Sequence, residues 1–125
     1  MKVFILAVSV LVITFGFILW GGWYVNGICG ELMDALEQMP AAAEADMEEF
    51  SAAYNRFRGV WKGGEMWLHI LVGHDMADRV EELLEEMGMR YIGRDEAGYL
   101  TARELLVLQL KKIREGERVA VDSIL

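Results

Sequence analysis

Twenty-eight consecutive residues, Val3 to Gly30, carry no charge, and almost all of them are apolar. About 20 apolar residues cross the hydrocarbon core of a bilayer, and Val3–Val25 alone exceeds that length. This run decides where everything downstream works. Residues 1–27 are read as a transmembrane anchor, and residues 28–125 as a helical domain tethered to it. About 95 residues follow the run, enough for one small domain but near the size where a single core becomes marginal.

Three readings compete for the N-terminus. A secretory signal peptide has an apolar stretch of about 7–15 residues and then small residues at the cleavage site; here the stretch is far longer, and no A-x-A pattern follows. A bacterial lipoprotein signal needs a small residue before the modified cysteine, and Ile28 precedes Cys29. An uncleaved single-pass helix is the expectation. Trp20, Trp23 and Tyr24 cluster where it would leave the hydrocarbon, as interfacial aromatics do. Orientation follows from charge. Lys2 and the α-amino group flank one side. Glu31, Asp34, Glu37, Glu44, Asp46, Glu48 and Glu49 follow on the other, with no Lys or Arg before Arg56. The positive-inside rule then puts the N-terminus in the cytoplasm and the domain outside the cytoplasmic membrane.

The formal charge is −8, and −9 without Lys2. That balance opposes binding to nucleic acid or to anionic headgroups, which require clustered Lys and Arg. Cys29 is the single cysteine, so no internal disulfide framework exists. Just outside the membrane, it would join two parallel anchors in a homodimer; the plainer reading is a spectator thiol on a partly covered helix. No two anchor glycines have the G-x-x-x-G spacing that permits close-packed dimerisation.

The domain reads as all-α, an antiparallel bundle of three to four helices. Pro40 is the only proline, and helical period replaces strand alternation after the anchor. The first helix continues out of the membrane with Ile28, Leu32, Ala35 and Met39 on one face, and Pro40 should end it. Met47, Phe50, Tyr54, Phe57 and Trp61 follow at steps of three and four, the seam of a helix packing on another helix. Gly59, Gly63 and Gly64 interrupt that helix and predict a kink or break near Gly63. A third helix should start at Asp75, with its carboxylate as cap. Met76, Val80, Leu83, Leu84 and Met87 form its apolar face. Glu81, Glu82, Glu85 and Glu86 form its solvated one, and Gly88 or Gly93 should stop it. The fourth is expected from Asp95 to Arg114, offering Leu100, Leu106, Val107, Leu110 and Ile113 for burial, with Gly116 as its stop. Short connections make such helices antiparallel neighbours.

Trp67, then His74-Asp75, then Asp78, Val80, Glu81 and Leu84 match a tryptophan followed by H-[DE]-x-x-D-x-[IV]-E-x-x-L. On these residues the chain resembles the bacterial membrane-anchored family catalogued as domain of unknown function 4363. The chain end, Asp122-Ser123-Ile124-Leu125, is similar to the family's terminal Asn-Ile-Leu, with Ser123 in place of asparagine. The resemblance implies a spanning helix with about a hundred residues of helical domain. It also implies a multi-pass membrane protein as partner, and it brings no biochemical activity.

Reactive constellations are sparse. Glu65, His69, His74 and Asp78 are close enough in sequence to suggest a metal-dependent extracytoplasmic sensor or enzyme, although their spacing matches no strong metal motif. More simply, His74 and Asp75 cap helix ends, or His74 hydrogen-bonds in the corner between helices. Gly98–Leu105 looks like the second half of an EF-hand loop. Aligned so, Gly93 and Ala97 occupy two positions that need carboxylates, so an ordinary turn is the better reading. There is no G-x-S-x-G and no phosphate-cradling glycine loop. The expectation is a non-enzymatic accessory or scaffold subunit of a membrane complex, without a cofactor.

Overall fold

A computed structural model describes residues 1–40 and 47–124. Glu44 and Asp46 of the acidic flank, and Leu125 of the chain end, lie outside the described residues. Within them are four helices and no strand: α1 (Lys2–Glu37), α2 (Met47–Val72), α3 (His74–Ile92) and α4 (Glu96–Ile124). The all-α expectation holds.

At 36 residues, α1 is about 54 Å long, and its two halves differ in kind. From Lys2 to Trp20 it stands bare, with only Phe15 and Ile18 partly covered. Its most apolar 18-residue window has a mean hydropathy of 2.7, and none of that window is buried. By length and composition this helix can cross a membrane. From Gly21 onward the same helix becomes a member of the bundle. Gly21, Gly22, Val25, Cys29, Leu32, Ala35 and Leu36 are buried at steps of three and four, the period of a helix with one face in a core.

The other three helices fold back along that outer half. Descending from the far end, α2 brings Leu71 against Gly21 and Trp67 against Trp20. α3 rises again beside it, and α4 descends beside α1 and α3. Phe57, Trp61, Leu68, Val80, Leu83, Met87, Leu106 and Leu110 fill the shared core. At the far end Phe50 stacks on Tyr91 with ring centroids 3.7 Å apart, and Tyr99 meets both rings edge-on. The Tyr99 hydroxyl donates to the Pro40 carbonyl at 2.7 Å. Arg103 of α4 donates to the Leu36 carbonyl at 2.9 Å, satisfying one of the acceptors a helix end leaves open.

Several boundaries differ from expectation, each for a packing reason. The break expected near Gly63 does not occur: α2 runs as one helix through Gly59, Gly63 and Gly64, and Gly64 packs closely against α1. A methyl group there would meet the Ile28 side chain and the Tyr24 hydroxyl. Gly88 does not stop α3 but lets the Tyr54 ring pack against the helix, 3.1–3.3 Å from where a Cβ would be; Gly93 caps the helix, its N–H donating to the Met89 carbonyl at 2.9 Å. Gly116 does not end α4, which continues to Ile124. Helix α3 starts at His74 with Gly73 as its N-cap, and neither His74 nor Asp75 makes a side-chain cap bond. In the α2 seam, Phe50, Phe57 and Trp61 are buried and Tyr54 is half-buried, but Met47 is exposed. Met47, at the first position of α2, lies at the edge of an open groove with Phe50, Met89 and Ile92 and stays half exposed. In α4 the buried stripe is Tyr99, Ala102, Leu106, Leu110 and Ile113; Leu100 lies one residue off it and is exposed.

Candidate functional site

The chemistry-bearing residues converge at the corner between α2 and α3. Val72 ends one helix and His74 begins the next, so Gly73 alone makes the connection. Its φ of +93° is a conformation that L side chains rarely adopt. Such a tight reversal lays the two helices side by side, pairing residues equally distant from Gly73. Glu65 and Glu81, each eight residues away, come to the same level. His69 faces the turn of Asp78.

His69 sits at the centre of this cluster, its side chain 16% exposed. Its Nδ1 lies 2.8 Å from the Glu65 backbone carbonyl, and its Nε2 lies 3.3 Å from Asp78 Oδ1. Both contacts hold the imidazole pKa above its ordinary value; the backbone hydrogen bond is the largest cause, and burial works against it. The His74 ring lies 5.1 Å from the His69 ring. Glu81 Oε1 accepts a hydrogen bond from Trp61 Nε1 at 3.0 Å. Ligand-capable atoms of Glu65, His69 and Glu81 all lie within 4.8 Å of one another.

Of the sequence-predicted cluster, Glu65, His69 and Asp78 are therefore brought together, and His74 lies beside them. Glu81 joins them from what the sequence suggested was only a solvated face. Its signal was available: once Gly73 is taken as a one-residue corner, Glu81 must lie opposite Glu65. Asp75 is exposed in the first turn of α3.

A second group of residues collars the point where α1 leaves the bundle. Trp20 stacks on Tyr24 at 5.2 Å and meets Trp67 edge-on at 5.3 Å. Trp23 is 74% exposed and lines an open groove of about 450 Å³ between α1 and α4, together with Leu19, Gly22, Asn26, Arg114 and Arg118. Met66 and Ile70 lie exposed on the last turns of α2, at the same end of the bundle as Trp20. Aromatic and aliphatic side chains thus gather at the base on the α1 and α2 side, whereas α4 brings Arg114, Glu115, Glu117, Arg118 and Asp122 to the groove.

Two other sequence features resolve as structure. Asp95 is the N-terminal cap of α4, accepting from the Gly98 N–H at 3.0 Å and pairing with Arg90 at 2.9 Å. Its carboxylate is thereby committed, as the reading of an ordinary turn expects. Cys29 lies in the core, 1% exposed, and burial pushes its thiol up to about 11. A disulfide between two anchors through Cys29 would require the bundle to open around it.

No family model matches the chain, and no curated protein or solved structure matches it either.

Proposed function

We propose that this chain is a non-enzymatic, single-pass membrane protein whose acidic bundle serves as an accessory or scaffold subunit for a multi-pass membrane protein. The observation that carries this reading is the division of α1. Its bare part, Lys2 to Trp20, is about 28 Å long at 1.5 Å per residue, close to the ~30 Å hydrocarbon core. Trp20, Trp23, Tyr24 and Trp67 then gather at the depth where aromatic rings favour the interface. Lys2 on one side, and Glu31, Asp34 and Glu37 on the other, favour a cytoplasmic N-terminus with the bundle outside. Membership of the family that the chain resembles belongs to the same proposal.

An anchor continuous with a bundle helix has a mechanical consequence. No flexible linker separates the two, so any tilt of the spanning segment is transmitted to the bundle. The groove around Trp23 opens at the membrane exit, where the helix of a multi-pass neighbour would lie against both segments. Affinity capture from membranes solubilised in mild detergent tests the reading. A multi-pass protein should be recovered in fixed ratio and lost on Trp23→Ala, whereas recovery of this chain alone would overturn the scaffold role. A reporter fused after Leu125 tests the sidedness, and activity of a cytoplasm-dependent reporter would reverse the orientation.

A further inference from the structure

Two of the side chains at the α2–α3 corner are held as metal ligands are held. A ligating histidine usually donates its other ring nitrogen to a carbonyl or carboxylate, and a ligating carboxylate is itself hydrogen-bonded. His69 Nδ1 is engaged by the Glu65 carbonyl at 2.8 Å, which leaves Nε2 to present its lone pair in the neutral ring. Glu81 Oε1 is engaged by Trp61 at 3.0 Å, leaving Oε2 available. We propose that Glu65, His69 and Glu81 form a divalent transition-metal site clasping α2 to α3, with Asp78 as fourth ligand.

The spacings fit this chemistry. Zinc binds nitrogen at about 2.0–2.1 Å and carboxylate oxygen at about 2.0–2.2 Å, so two ligands at a tetrahedral angle lie about 3.4 Å apart. His69 Nε2 and Asp78 Oδ1 are 3.3 Å apart. The Glu65, His69 and Glu81 atoms already lie within 4.8 Å, and shifts of about an ångström in flexible carboxylates would close them to the same separation. Asp78, 58% exposed and paired with His69 at 3.3 Å, would swing from that contact to complete the set. An imidazole among carboxylates selects zinc-like ions over calcium or magnesium, which take oxygen alone. The site joins helices whose only covalent connection at this end is Gly73, so binding would stiffen the corner beside Trp67 and Trp20.

The test uses the full chain in lipid nanodiscs, titrated with zinc by calorimetry and with cobalt by visible absorption. One equivalent should bind, the melting temperature should rise, and cobalt should show ligand-field bands. His69→Ala and Glu81→Gln should each weaken binding at least tenfold, and a hundredfold excess of magnesium should not displace zinc. Absence of binding would overturn the site, as would binding indifferent to Glu81→Gln or displaced by magnesium, the behaviour of a generic acidic surface. Helical content of each variant, read by circular dichroism without metal, separates loss of the site from loss of the fold.

Discussion

The two halves of α1 are both rich in apolar residues, yet they meet different surroundings. Between Lys2 and Trp20 apolar side chains point in every direction, and apart from Phe15, Ile18 and the Trp20 contacts little of the protein covers them. Between Gly21 and Glu37 the buried positions fall on one face, while Glu31, Asp34 and Glu37 are exposed on the others. The difference lies in periodicity. A stripe one residue in three or four wide can be buried by neighbouring helices, whereas apolarity on all sides calls for apolar surroundings on all sides, as a bilayer would supply.

A single charge placed in each half should separate the two roles. Leu32→Asp puts a carboxylate into a site that is fully buried. It should cost more than about 4 kcal/mol, enough to unfold the bundle. The protein should nevertheless remain in the membrane through carbonate extraction. Val10→Asp, near the middle of the bare segment, should cost about 3 kcal/mol of membrane insertion and release the protein into the carbonate supernatant. Limited proteolysis would find its bundle intact. If both substitutions gave the same outcome, α1 would be one functional unit rather than two.

Much of this division was legible in the sequence, because uncharged length and helical period are local signals. Leu32, Ala35 and Met39 were on the expected face and are buried. The glycines were only partly legible. Gly93, one of the two stops expected for α3, caps it, whereas Gly63, Gly88 and Gly116, expected from their intrinsic cost to kink, break or stop a helix, all sit within helices. Whether a helix continues past a glycine is decided by what packs on its other residues, and that is tertiary information. The corner site was half legible. Glu65 and His69 share a helix face by spacing alone, whereas Glu81 joins them only once Gly73 is known to reverse the chain without a loop.

Smaller in effect is the aromatic cluster at the far end, where the outer half of α1 finishes. Burial is the main cause that pushes the Tyr99 phenol up to about 12, with Tyr91 adding to it and Arg103 opposing. The folded state thus favours the neutral phenol, whose hydroxyl bonds to Pro40. The associated stability is complete below the ordinary tyrosine value near 10, and it is lost as pH rises through about 12. Tyr99→Phe should cost about 1 kcal/mol at neutral pH through the lost hydrogen bond. The gap in melting temperature between it and the wild type should shrink as pH climbs past 10. A gap that stayed constant, or a phenol titrating normally in an absorbance titration, would show that Tyr99 is not held as the structure places it.

The smallest effects come from two adjacent glycines of α2, and here the sign carries the information. Gly63 has open space where its side chain would be, so Gly63→Ala should stabilise the bundle by about 0.5–1 kcal/mol through helix propensity alone. Gly64 faces Ile28 and Tyr24 of α1 and has no room for a methyl group unless Ile28 gives way. There the same propensity gain is outweighed by overpacking of about 1–3 kcal/mol, for a net loss of about 1 kcal/mol. Denaturant melts of the two variants in one detergent would resolve opposite shifts in midpoint. Equal stabilisation by both would mean that α2 does not lie against the outer half of α1 at this level. The close approach that makes the anchor part of the bundle would then be absent.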